Sequence, residues 1–235
     1  GQSAPVTIAL GPRTILEVPG SVQIASNDPL APVTVVGICK GVIVRKAKEP
    51  GLGVNLKSEQ ARAVLEQVKM LESRGFQYDG AEASFELLVH RSQAGYRPLF
   101  ELVDFMVVVE KRRRPSTLES DEELLSEVTV KVRVGNEVLH TAAEGNGPVN
   151  ALDAALRKAL VVFYPRLAVV RLVDYKVRAL DETAGTGSKV RVLIESSDGE
   201  REWRTVGSST NIIEASYLAL ADSLEYWLLK DQQKT

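Results

Sequence analysis

The sequence predicts an α+β fold in which a β-β-β-α module, written twice, follows a helical linker subdomain. Three observations carry this expectation. A strand-like opening occurs twice, as Phe-Glu-Leu-Val-Asp-Phe at 100–105 and Val-Arg-Leu-Val-Asp-Tyr at 170–175. Each opening is followed by two runs of period-two alternation joined at a turn, Gly135-Asn136 in one copy and Asp198-Gly199 in the other. Each copy then closes on an amphipathic helical run, and a repeated unit of this kind buries its apolar face against its partner.

Taken in order, residues 1–32 carry Pro5, Pro12, Pro19, Pro29 and Pro32 among glycines, so irregular chain with short strand pieces is expected. The runs 33–36 and 42–44 are rich in β-branched residues and suit strands. From Asn55 the pattern changes. Ser58 is placed as an N-cap, and Ala61, Val64, Leu65, Val68 and Leu71 recur at helical spacing until Gly75. Beyond Asp79-Gly80, residues 81–91 form a second helix with Phe85, Leu88 and Val89 on one side, which makes an αα-hairpin too small to bury itself.

The first copy opens on 99–111, apolar on both faces and therefore expected to be a central strand. Residues 127–134 alternate strictly, with Val128, Val130, Val132 and Val134 inward, and 137–143 return as the hairpin partner. A helix from Pro148 to about Phe163 buries Leu152, Ala155, Leu156, Ala159 and Leu160. The second copy repeats the plan with strands at 169–180, 189–195 and 202–206. Its helix is capped by Asn211, with Ile213, Tyr217, Leu220, Leu224 and Trp227 inward. The spacing between copies falls from 70 residues at the opening strands to an expected 61 at the helices, a difference assigned to the charged loop 112–126.

Composition excludes several functions. A net charge of −2 over 235 residues gives no footprint for nucleic acid, and the one dense basic run, 111–114, suits a solvated loop. The longest apolar stretch, 33–44, is broken by Gly37, Lys40 and Gly41, and no membrane span is expected. The single cysteine, Cys39, excludes an internal disulfide and suits a reducing cytoplasm. No secretory pattern opens the chain, and the lack of an initiator Met suggests a processed or cut chain. His90 and His140, the only histidines, have no metal-ligand spacing, and no Walker-type glycine loop is present. What remains is Gly145-Asn146-Gly147-Pro148, bare backbone at a helix start whose free N–H groups attract a carboxylate or phosphate. Copy two offers the small polar run Gly207-Ser208-Ser209-Thr210 at the place aligned with it.

Residues 56–229 resemble the C-terminal portion of the citramalate synthase and 2-isopropylmalate synthase family. The resemblance rests on Arg-Gly-Phe-Gln-Tyr-Asp-Gly-Ala-Glu-Ala-Ser-Phe-Glu-Leu-Leu (74–88), Leu-Val-Asp-Phe (102–105) and Gly-Asn-Gly-Pro-Val-Asn-Ala-Leu-Asp-Ala-Ala-Leu (145–156). Leu-Val-Asp-Tyr-Lys-Val-Arg (172–178) and Trp-Arg-Thr-Val-Gly (203–207) add to it. The segment Gly-Ala-Glu-Ala-Ser-Phe looks more like the citramalate branch.

The resemblance implies a (β/α)8 barrel that condenses acetyl-CoA with a 2-oxo acid on a divalent metal held by an aspartate and a His-x-His pair. Helical linkers and a C-terminal regulatory domain follow it, and that domain dimerises and binds the feedback inhibitor. This chain holds no His-x-His. It is therefore expected to have no catalytic residues, no metal and no cofactor of its own, and to release no free CoA from acetyl-CoA and pyruvate. The implied division is an unmatched segment at 1–41, a linker subdomain at 42–95 and a regulatory domain at 96–235 with repeats at 99–163 and 169–228. The effector pocket carried over from the family uses Gly145, Gly147, Val149 and Asn150 with Leu172, Tyr175 and Ala179 on the opening strand of copy two. Asn150 departs from the small residue of the isopropylmalate branch. The implied partners are a second copy, as a homodimer, and an amino-acid effector: isoleucine, with leucine as the alternative. The choice between these rests on one methyl placement, worth about 1–3 kcal/mol. A structural dimerisation unit without ligand is the other reading. By position, the hairpin at 58–91 is the relay toward a barrel.

Overall fold

The strictest alternation in the sequence becomes the middle of a sheet. In the computed structural model, which describes residues 37–39, 42–44, 58–111, 124–180 and 185–233, strand β4 (Leu124–Val134) buries Val128, Val130 and Val132 completely. Numbering runs in chain order from β1 (Gly37–Cys39) and β2 (Val42–Val44), a small antiparallel hairpin. β4 pairs antiparallel with β3 (Glu101–Lys111) on one side and β5 (Glu137–Gly145) on the other. The β4–β5 turn is closed by Gly135 at φ 58°, a left-handed conformation that glycine adopts without strain. The second copy builds the same sheet from β6 (Arg171–Ala179), β7 (Val190–Ser197) and β8 (Glu202–Ser209), in the order β6-β7-β8.

One strand differs from expectation. β3 is an edge strand and β4 the central one. Being apolar on both faces says that both faces need covering, not that a strand has two ladder neighbours. In a single chain Val103, Met106, Val108 and Val109 of β3 remain exposed, as do Val173 and Val177 of β6.

Each sheet is covered on its inner face by one long helix. α3 (Pro148–Phe163) starts with proline in its first turn, where the missing N–H would have no partner in any case. It buries Ala151, Leu152, Ala155, Leu156, Ala159 and Leu160. Each of its three buried leucines contributes about 1.5–3 kcal/mol by leaving water. α4 (Ile212–Gln232) is capped by Asn211, whose Oδ1 accepts from the Ile213 N–H at 2.8 Å. The helices share one core, and copies interlock where Phe105 of β3 stacks on Tyr217 of α4, ring centroids 6.0 Å apart. Tyr164 adds a hydrogen bond from its hydroxyl to the Leu99 carbonyl at 2.8 Å.

The repeat is visible in the hydrogen bonds. Thr141 Oγ1 donates to the Ala155 carbonyl at 3.0 Å, and Thr205 Oγ1 donates to the Ala219 carbonyl at 2.7 Å. Both members of this pair lie 64 residues apart, so the spacing at the helices is 64 rather than 61. A bulge recurs at Leu102/Asp104 and Leu172/Asp174, where the spacing is 70. The change of spacing therefore lies between the first and second strands of each copy.

The linker helices α1 (Ser58–Ser73) and α2 (Glu82–Arg91) dock on the second sheet, covering its outer face, and α2 reaches round the free edge of β8 to α4. Val64, Val68, Tyr78, Ala81 and Val89 form a second apolar cluster with Val206 and Leu193 of that face. The Arg191 Nε donates to the Gly75 carbonyl at 2.6 Å, and Ser208 Oγ to the Arg74 carbonyl at 3.1 Å. The positions 64 residues earlier are Thr129 and Ala142 in place of Leu193 and Val206, and Glu127 and Glu144 in place of Arg191 and Ser208. Copy one thus lacks both the apolar pair and the donors, which is why the hairpin docks on copy two. α2 is buried more fully than its expected Phe85, Leu88 and Val89 side: Leu87 is fully buried and Ser84, Glu86 and His90 are buried polar groups.

The expected strand at 33–36, the irregular chain at 1–32 and the loop 112–123 lie outside the described residues, as do the side chains of Cys39 and of Ser58, the expected cap. Among the described residues, no helix is long and apolar enough to cross a membrane.

The β7–β8 turn carries a pH-sensitive carboxylate. Burial pushes Asp198 up, but hydrogen bonds from Arg201, from the Trp227 indole at 2.9 Å and from the Glu200 and Arg201 N–H groups outweigh it and hold it well below the usual range. A folded-state pKa below the unfolded value of about 3.9 gives stability that is present above that value and lost as pH falls through the folded one. Stability is expected to drop on acidification below about pH 4, and Asp198→Asn to flatten part of that slope. Tryptophan fluorescence during acid titration checks it; equal acid slopes in the two proteins would refute the assignment.

Candidate functional site

At Gly145, the last residue of β5, the strand end meets the first turn of α3 in a space too tight for a side chain. A Cβ on Gly145 would run into the Asn150 side chain, lie 2.6 Å from the Ala151 nitrogen and 3.0 Å from its Cα. Glycine at 145 lets the strand end and the first helical turn touch. Asn150 Oδ1 accepts from the Asn146 N–H at 3.3 Å and pins the turn across its mouth. Gly147, the N-cap, has extended backbone at φ −172°, which any residue adopts, and its Cβ position meets nothing within 4 Å. The first turn holds no acidic residue and no side-chain cap. The result is a helix start with open backbone, free N–H groups and the positive end of the helix dipole.

The matching helix start in copy two is closed. Gly207, Ser208 and Ser209 are strand residues of β8 rather than a polar turn, and the structural counterpart of Gly145-Asn146-Gly147 is Ser209-Thr210-Asn211. Here Asn211 caps the Ile213 N–H, Ser209 Oγ accepts from the Asn211 N–H at 3.0 Å and donates to Glu214, and Glu214 puts a carboxylate in the first turn. A cap side chain and an acid already satisfy this helix end, so only copy one retains an anion-attracting start.

Leu172 and Tyr175 sit on the half-buried side of β6 and pack against the same apolar cluster as Val149. Ser216 Oγ donates to the Ile212 carbonyl at 2.6 Å, which leaves the Tyr175 hydroxyl to donate to Ser216 at 2.8 Å. Ala179 is exposed at the far end of β6. The structure therefore brings Gly145, Gly147, Val149 and Asn150 into one turn, and joins Val149 with Leu172 and Tyr175 through the core. The polar contacts stay within each copy, Asn150 to Asn146 and Tyr175 to Ser216.

Ser126 escaped the sequence reading. It pairs across the ladder with Gly145 and is 1% exposed, and its hydroxyl has no hydrogen-bond partner. It continues the inward register of Val128, Val130 and Val132 by one further step, a signal hidden because the strand was expected to begin at Glu127. His90 and His140 lie apart, and among the described residues no three His, Cys, Asp or Glu side chains converge to hold a metal.

Comparison with known proteins fits this geometry. The LeuA allosteric (dimerisation) domain matches residues 79–228. The chain is 52% identical over 191 residues to an (R)-citramalate synthase of Geobacter sulfurreducens, covering 81% of this chain and 35% of that protein. It is 46% identical to an (R)-citramalate synthase of Aquifex aeolicus, covering 82% of this chain and 35% of that one. A 2-isopropylmalate synthase of Pseudoalteromonas atlantica is 33% identical over 48% of this chain and 20% of its own length. The chain spans about a third of the length of the citramalate synthases it matches, 35% in both cases.

Proposed function

The chain belongs to the LeuA allosteric (dimerisation) domain family, and from that premise we propose that it is the feedback-sensing part of an (R)-citramalate synthase, with isoleucine as its effector. The observation that carries the reading is the inequality of the two helix starts: that of α3 is open and free of acid, while that of α4 is filled by Asn211 and Glu214. A carboxylate suits the first and is repelled from the second. The apolar surround of Val149, Leu172 and Tyr175 supports an aliphatic side chain on the same ligand. The identities of 52% and 46% to citramalate synthases favour isoleucine over leucine.

Association follows the same logic. The exposed Val103, Met106, Val108 and Val109 of β3 are an apolar surface of the kind a second copy covers, and we assign the homodimer contact to it. In this reading the condensation of acetyl-CoA with pyruvate is the work of a metal-dependent barrel in the parent enzyme, and the whole assembly acts in the cytoplasm.

Titration calorimetry with isoleucine and with leucine tests the proposal. Isoleucine is expected to bind more tightly, and Gly147→Val to abolish the heat. Because residue 147 is extended and faces open space, valine there leaves the fold intact, so lost heat means blocked backbone approach. If neither amino acid binds at millimolar concentration, the sensor reading fails and a purely structural dimer is left.

A further inference from the structure

Ser126 has a cost and no structural return. Its hydroxyl is buried without a partner, a state that favours an alanine or valine unless something else uses the oxygen. Copy two makes the comparison directly, since the residue 64 positions later is Val190. The module therefore folds with an apolar side chain at this place. Across the ladder Ser126 lies between Val109 on β3 and Gly145 on β5, and Gly145 is the residue against which the first turn of α3 presses. Gly145 itself adds no side chain here, and the space over it is taken by Asn150 and the backbone of Ala151 in the first turn of α3. Three departures from copy two thus converge on one spot: a hydroxyl for Val190, a glycine for Ser209, and the absence of the acid that Glu214 supplies.

We propose that Ser126 is a binding residue of the effector site, its hydroxyl donating to the α-carboxylate of the bound amino acid alongside the N–H groups at the start of α3. The inference rests on the sensor reading above. It adds a polar anchor that reads the carboxylate, common to isoleucine and leucine, and leaves the choice between them to the apolar wall. A hydrogen bond to a charged group that is lost on truncation weakens binding by about ten- to a hundredfold. Because the unliganded hydroxyl is an orphan, its removal is also expected to raise thermal stability.

The test uses the full chain and its Ser126→Ala variant, titrated with isoleucine and with leucine, with thermal melts of both proteins in the absence of amino acid. The expected result is at least about tenfold weaker binding of both amino acids together with an equal or higher melting temperature. Unchanged affinity in the variant overturns the assignment of Ser126 and leaves the sensor reading standing. Weakened binding with a lower melting temperature overturns it too, because the hydroxyl then serves the fold. If the unsubstituted chain binds neither amino acid, the sensor reading falls first and this inference with it.

Discussion

Replacing Arg91 by methionine is expected to destabilise the chain by about 2–4 kcal/mol, less than breaking a fully buried ion pair, because its side chain is 37% exposed while the carboxylates it faces are mostly covered. Arg91 leaves the end of α2 and meets two carboxylates of α4, Asp222 at 2.8 Å and Glu225. Those carboxylates are buried: Glu225 also accepts from the Tyr96 hydroxyl and from the Leu99 N–H at 3.4 Å, and Asp222 accepts from Ser84 Oγ at 2.6 Å. Ser84 in turn accepts from the Val206 N–H at 3.0 Å, so one network joins the linker, the second sheet and α4. Burial pushes Arg91 down, but Asp222 and Glu225 reverse that and hold it more firmly protonated than usual. Burial pushes Asp222 up, against the pull of Arg91 and Ser84. Without Arg91 the carboxylate of Asp222 stays buried with its main cation gone, and its pKa should climb further. A raised carboxylate gains stability as pH falls, so the deficit of the variant should shrink on acidification from pH 7 toward about 5. Urea unfolding at the two pH values measures this. Arg91→Lys should restore only part of the loss, because an ammonium cannot address two carboxylates as the guanidinium fork does. A deficit below about 1 kcal/mol, typical of a surface pair, would mean the network is solvated.

Gly207→Ala is expected to have the next largest effect. A Cβ there would press on the Ala215 carbonyl and come within 2.9 Å of the Ala219 nitrogen and 3.0 Å of the Ala215 carbonyl carbon. All of these are α4 backbone, which cannot rotate away as a side chain would, so the helix must lift from the sheet. Overpacking of this kind costs about 1–3 kcal/mol, and Gly207→Val should exceed that range. Copy one supplies the contrast, because Ala143 occupies the matching position under α3. The reverse change, Ala143→Gly, should cost only the smaller penalties of lost contact and added chain freedom. Denaturant midpoints compare the two, and equal losses would show that α3 and α4 sit at the same height above their sheets.

Much of this architecture is legible from periodicity. Period-two alternation placed the inward valines of β4, and proline at 148 with aromatic Phe163 before Pro165 marked both ends of α3. The capping role of Asn211 followed from residue type alone. What stayed hidden depends on partners distant in sequence. Nothing local to β3 distinguishes an edge strand covered from outside from a central strand. The docking of α1 and α2 on copy two turns on Leu193 and Val206 standing where copy one has Thr129 and Ala142, a comparison that needs the 64-residue spacing. The burial of the polar residues of α2 could not be read locally, because Arg91, Glu86 and Ser84 meet their counterparts more than 130 positions away in Asp222, Glu225 and Lys230. In the candidate site the glycine turn was legible from composition, since bare backbone at a helix start has few other uses. Ser126 was not, because a strand boundary drawn one residue short turned an inward residue into a loop residue.

The hairpin docked on the second sheet also bears on how far assembly can run. A protein made of two like halves risks presenting two like adhesive faces, and copies that can add at both join end on end into filaments. Here the outer face of β7 and β8 is already filled by α1 and α2, while its counterpart in copy one carries Glu127, Thr129 and Glu144. Copy one keeps an apolar margin on that face only along β3, at Met106 and Val108, and the matching face of copy two is filled, so the chain offers one such outer face and not two. The duplication keeps its shared core and gives up its outward symmetry, which favours a closed pair over an open chain of copies.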